Sequence, residues 1–194
     1  MLQYAVLAGA AINLFGSAAY VRDTFRGTTK PNRVSWLLWG IIPSIAAVAA
    51  FSEGATWAIV PVAMSGITPL IIFTASFVNP NAYWKVSGLD YMCGALAMLA
   101  IVLWLITDEP LLAVFFAIAA DLLAGIPILY KSWKFPETET GFTFVCGFIS
   151  SLTVFFALKT DNLSEYAFPV YLMCICAVLV VLIYRKRVFA ILKR

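Results

Sequence analysis

Of the 23 charged side chains in this 194-residue chain, 13 Lys or Arg and 10 Asp or Glu, all but Asp121 lie between or beyond seven apolar stretches. These cover about residues 2–21, 34–52, 55–78, 91–107, 110–130, 140–158 and 166–184. Each is close to the ~20 residues of helix that cross ~30 Å of hydrocarbon. With 63% hydrophobic and 12% charged residues and a mean hydropathy of +0.94, the chain falls far outside the range of soluble domains. A soluble helical protein is excluded on the same ground, because its helices would need a polar face. The expected fold class is an all-α membrane protein with seven transmembrane helices, and its first partner is the lipid bilayer.

Displacing the chain along itself by 108 positions lays its first third on its last third, without a gap from Asn13 to Pro61. Asn13 falls on Asp121, Glu53 on Asp161 and Pro61 on Pro169. One structural unit thus occurs twice. Spans 1–3 pair with spans 5–7, and span 4 (YMCGALAMLAIVLWLIT) is left as a linker. Three crossings and a linking fourth return the chain to its starting side, so the two triplets insert as a parallel pair about an axis along the membrane normal. The expected units are a first triple-helix bundle over 1–86, a linker helix over 87–108, and a second bundle with a basic tail over 109–194. Span 1 has no basic region ahead of it and is the partner of span 5, so it is expected to be part of the fold and not a cleaved signal peptide.

The basic residues set the orientation. Arg22, Arg26, Lys30 and Arg33 follow span 1, Lys85 follows span 3, Lys131 and Lys134 follow span 5, and the tail carries five more. Only Lys159 lies on the other side, with Glu53, Asp108, Glu109, Asp161 and Glu165. The positive-inside rule then places the N-terminus outside and the C-terminus in the cytoplasm of a multi-pass cell-membrane protein. The net charge of +3 is a consequence of that bias and calls for no nucleic-acid partner. Cys93, Cys146, Cys174 and Cys176 fall inside spans and read as small packing residues. Without histidine or clustered thiols and carboxylates, no metal site and no cofactor is expected.

Seven helices, the N-out and C-in topology and the 3+1+3 parallel repeats together resemble the SWEET and PQ-loop transporter superfamily, as a divergent bacterial branch. Its hallmark is a Pro-Gln pair in the first helix of each repeat, ahead of a short basic turn. Pro127-Ile128 occupies that place in the second repeat, before Lys131 and Lys134, and Ala19-Tyr20 in the first, before Arg22 and Arg26. The resemblance covers almost the whole chain at the level of architecture. It implies alternating access between the two bundles, hinge prolines such as Pro43, and substrate contacts midway along spans 3 and 7, often through asparagine. Neither span has an asparagine there.

Asp121 is the first candidate for chemistry. It sits about ten residues from either end of span 5, where a charged Asp costs ~2.5–3.5 kcal/mol. Its neighbours at three and four residues, Ala117, Ile118, Ala124 and Gly125, offer no counter-charge. It is expected to couple a proton or to face a cationic substrate; the alternative is a hydrogen bond to Asn13 across the repeat interface, as packing glue. Asn13, Gly16 and Ser17 share a face of span 1. Trp39 and Ser35 share a face of span 2, where Trp39 would suit a ring-bearing solute. Trp36, nearer the span's end, reads as an interface anchor, as do Trp84, Tyr130 and Trp133. Ser65 and Tyr171 are further candidate contacts, and Pro43, Pro61, Pro127 and Pro169 candidate hinges. The loop TTKPNR has a topological role, with phosphate or lipid-headgroup binding as its alternative.

The expected function is a transporter or facilitator for a small polar solute, with Asp121 as proton or cation site and Asn13 as its counterpart. A receptor of the same seven-helix plan, binding a small ligand without transport, is the alternative. Enzymatic activity is not expected: Asp121 has no convergent acid–base partner in the sequence. An opsin-like role would need a lysine in span 7, which has none. The two repeats already complete one bundle, and the sequence leaves room for a homo-oligomer without requiring it.

Overall fold

A computed structural model describes residues 3–52, 59–156 and 163–192. Among them there are seven α-helices, two short 3-10 turns and no strand. The helices are α1 (Gln3–Phe25), α2 (Arg33–Ser52), α3 (Ile59–Ala75), α4 (Gly88–Leu105), α5 (Pro110–Lys134), α6 (Gly141–Val154) and α7 (Leu163–Leu192). Four of them carry segments long and apolar enough to cross a membrane, Ala5–Phe25, Gly88–Leu105, Leu111–Lys134 and Tyr166–Arg185. Ala63–Ala75 and Gly141–Val154 are shorter apolar segments. Glu53, Lys159 and Asp161 lie outside the described residues, as does the start expected for span 3.

The helices begin and end where local chemistry directs. Pro110 opens α5, where its missing N–H costs nothing. The Ser87 N–H donates to Asp90 Oδ2 at 2.6 Å, one half of a capping box at the start of α4. Gly27, with φ of 75°, turns the chain after α1 in the left-handed conformation that glycine allows. α1 and α5 each run about a turn past their expected ends, and α7 continues to Leu192. Arg22, Lys131 and Lys134 occupy those added turns, where a cation complements the helix dipole.

Each helix packs on few others. α3 lies against both α1 and α2, and α7 against both α5 and α6. α1 also packs on α6, α2 on α5, and α4 on α5 and α2. Close approach depends on small residues. A Cβ on Gly66 would lie 2.5 Å from Ser44 Oγ and 3.1 Å from Gly40 O, so α2 and α3 meet backbone to backbone there. At the α1–α6 crossing, a Cβ on Gly16 would lie 2.6 Å from Cys146 Cβ. Hydroxyls inside the helices turn back on their own backbone, as Ser44 does to Gly40 O at 2.7 Å and Ser151 to Gly147 O at 2.9 Å.

The core runs between the helices and the outer faces stay apolar. Tyr20, Trp36, Ile72, Ile128, Phe144 and Leu179 share one buried cluster. Phe15, Val48, Tyr91 and Ile106 are each about 70% exposed (71, 70, 69 and 71%), a surface that water would not tolerate in a monomer and that hydrocarbon would cover. Among the described residues, two pairs 108 apart are in contact: Trp36 stacks on Phe144, with ring centroids 6.5 Å apart and planes at 28°, and the Lys30 N–H donates to Thr138 O at 3.0 Å.

Gly66→Leu is expected to lower the melting temperature in detergent by separating α2 from α3, at a cost of roughly 1–3 kcal/mol. Gly88→Ala, whose Cβ would meet nothing within 4 Å, should leave it unchanged. Equal melting of the two variants would show that the α2–α3 contact is not tight.

Candidate functional site

Asp121 lies midway along α5 and is only 8% exposed. Three helices converge on it. From α7, the Tyr171 hydroxyl donates to Asp121 Oδ2 at 2.7 Å. From α2, Trp39 Nε1 donates to the Asp121 backbone carbonyl at 3.1 Å. The indole crosses α5 where Gly125 leaves room for it; a Cβ there would lie 3.2 Å from the Trp39 ring. Pro127, six residues after Asp121, interrupts the α5 hydrogen-bond ladder. A carboxyl so placed can hold a proton or meet a cation, and its Trp39 and Tyr171 contacts report any relative movement of α2, α5 and α7.

Asp121, Trp39 and Tyr171 therefore come together as one site. The other sequence candidates do not join it. Among the described residues, Asn13 is paired with Thr68, whose Oγ1 donates to Asn13 Oδ1 at 3.3 Å, and not with Asp121. The alternative of a direct bond between the two is thus not seen among the described residues; Asn13 binds α3 and Asp121 binds α7. Ser17 is buried but lines a lateral groove between α1 and α3. Ser65 sits on an exposed face of α3. Pro43, Pro69, Pro127 and Pro169 all interrupt helices, while Pro61 stands near the described start of α3.

A second polar constellation closes the basic end of the bundle. Lys131 Nζ meets Glu139 Oε1 at 2.6 Å, with both side chains fully buried. Glu139 Oε2 accepts from the Tyr20 hydroxyl at 2.7 Å, and that hydroxyl in turn accepts from Trp36 Nε1 at 3.2 Å. Lys131 also donates to the carbonyls of Lys30 and Thr138. Thr29 and Thr140 hydroxyls lie 2.6 Å apart, and Thr140 donates to Asp23 at 3.0 Å. These bonds join α1 and α2 to α5 and the α5–α6 connection.

Sequence reading treats Trp36 as an interface anchor, which the structure corrects, and Lys131 as a topological charge, to which the structure adds a buried ion pair. Trp36 is 4% exposed and packs edge-on against Tyr20 at 4.7 Å between ring centroids. Lys131 is drawn inward because Glu139, 8 residues along, folds back to neutralise it. One signal was available: the 108-residue shift that aligns Asn13 with Asp121 also aligns Trp36 with Phe144. A further node went unread, Asn32 donating to Asp90, which fastens α4 beside the start of α2. The four cysteines are free, with Cys93 and Cys146 buried as packing residues.

The chain matches no family model, no curated protein and no solved structure.

Lys131→Met strands a buried carboxylate and is expected to destabilise the fold by about 3–5 kcal/mol. Adding Glu139→Leu should restore most of that loss, because the two charges leave together. Denaturant titration of the single and double variants in detergent measures the difference; additive losses would show that the pair is not coupled.

Proposed function

We propose that this chain is a seven-span membrane transporter for a small polar solute, built on the SWEET-like 3+1+3 plan and working by alternating access. The site is the Asp121 carboxyl, which binds a proton or a cation while Trp39 and Tyr171 border the solute. Asp121 carries the reading: it is a buried acid at mid-helix, bonded to a residue from each triplet, Trp39 of α2 and Tyr171 of α7. A rocking of one triplet against the other would alter the Trp39 contact and leave the Tyr171 contact within its bundle.

Packing supports the repeat. The α1–α3–α2 arrangement has its counterpart in α5–α7–α6, and the α1–α6 contact has its counterpart in α5–α2. Under a two-fold relation, equivalent residues can touch each other only near the axis. Trp36 with Phe144 and Lys30 with Thr138 are pairs of that kind, and their contact supports a two-fold relation between the triplets. The α4 helix lies outside the scheme, as a linker must.

Orientation is supported by where the charges gather. Contacts of Arg33 with Ser76, Asn79 with Phe25, Lys131 with Lys30 and Arg185 with Ser132 bring the basic ends of the helices together. With that end in the cytoplasm of a cell membrane, the Lys131–Glu139–Tyr20 network closes the inner side of the path and the described state is shut to the cytoplasm.

In proteoliposomes carrying a pH gradient, Asp121→Asn is expected to abolish gradient-driven solute uptake while solute exchange persists. Tyr171→Phe should lower uptake without abolishing it, since the carboxyl remains. Unchanged gradient-driven uptake in Asp121→Asn would reject the proton-coupling role.

A further inference from the structure

On the outer side of α1 and α3 runs a groove of ≈ 600 Å³ that has no part in the Asp121 site. Leu14, Ala18, Val21 and Phe25 line it from α1 and Ile71 from α3. Spacings of four, three and four residues put those α1 side chains in one stripe. Leu14, Phe25 and Ile71 are 43, 50 and 44% exposed, so the groove opens sideways, where hydrocarbon would meet it, and not into the bundle. Its polar residues are sorted by position. Ser17 and Thr68 are buried in its wall, and Thr68 is already engaged with Asn13 and Met64 O. Arg22 and Arg26, one turn apart on a single face, stand at its basic end.

We propose that this groove is a binding site for an anionic phospholipid, with an acyl chain along the α1 stripe and the phosphate against Arg22 and Arg26. The occupant follows from the order of the lining: apolar along the helix, then two guanidiniums where the headgroup layer begins. Arginine forks match phosphate oxygens. Arg22 also pairs with Asp23 at 2.9 Å, whereas Arg26 makes no ion pair among the described residues, so an acidic headgroup supplies the charge that the protein leaves unmatched. A zwitterionic lipid would place its own cation beside the arginines and is disfavoured. The inference rests on the membrane reading above, not on transport: loss of lipid binding would leave the Asp121 test intact, and loss of coupled uptake would leave this one intact.

Native mass spectrometry of the detergent-purified protein, titrated with phosphatidylglycerol or phosphatidylcholine, tests it. The unaltered protein should retain phosphatidylglycerol in preference. Each arginine replaced, Arg22→Gln or Arg26→Gln, should weaken that preference about fivefold, as ~1 kcal/mol per basic residue at an anionic surface implies. Lys85→Gln, an exposed basic residue outside the groove, should change nothing. Ala18→Phe fills the groove and should reduce retention of both lipids; Ala18 is exposed, so the fold can accommodate it. Inorganic phosphate should not compete. Undiminished phosphatidylglycerol binding by the double arginine variant would overturn the proposal, and so would inorganic phosphate displacing the lipid.

Discussion

Lys131 and Glu139 face each other at 2.6 Å with no exposure to solvent, and neither could stay there without the other. An unpaired charge in such surroundings costs several kcal/mol, and pairing only about offsets that cost. The pair therefore adds little to the depth of the fold and a great deal to its specificity. It is satisfied when the α5–α6 connection lies across α1 and α2, with Tyr20 on the second carboxylate oxygen and the Lys30 and Thr138 carbonyls around the ammonium. Any arrangement that opens the basic end must rehydrate or re-pair both charges. In the proposed transporter, such a contact would hold one of two states and be released in the other.

Above this closure the core is aromatic and aliphatic, with Trp36 stacked on Phe144 inside it. Tyr20 and Ile128, which stand where the resembled family has its glutamines, are both wholly buried beside Trp36 and Phe144. Asp121 lies further along the same bundle, joined to α2 through Trp39 and to α7 through Tyr171. Trp36 and Trp39 are themselves in edge contact, with centroids 5.3 Å apart. A chain of hydrogen bonds and ring contacts thus runs from the Asp121 backbone to the closure, through Trp39, Trp36 and Tyr20 to Glu139. In the proposed transporter, this is the shortest route by which occupancy of Asp121 could bias the inner closure.

Much of the architecture was legible in the sequence because it is written in local terms. Apolar run length located most described helix ends to within about a turn, although α7 runs eight residues past its expected end. Asp121 was legible as an isolated acid among Ala, Ile and Gly, and Tyr171 and Trp39 as aromatics at the right depth. What escaped were pairings between distant segments. Tyr20 and Glu139 are separated by 119 positions and Asn32 and Asp90 by 58. Charges at helix ends look solvated when read along a chain, and nothing in the sequence marks Lys131 and Asp90 as buried beneath the connections. Asn13 went the other way: the alignment set it against Asp121, but Asn13 is held by Thr68 instead.

The claim on which the account turns is that the two triplets separate at the basic end in every transport cycle. Lys30→Cys with Thr138→Cys, in a background without the four native cysteines, places a disulfide across the Lys30–Thr138 contact, and solute uptake into proteoliposomes is then measured before and after reduction. The account predicts that the oxidised protein binds solute and takes up none, and that reduction restores uptake. Uptake by the cross-linked protein at the rate of the reduced one would contradict it.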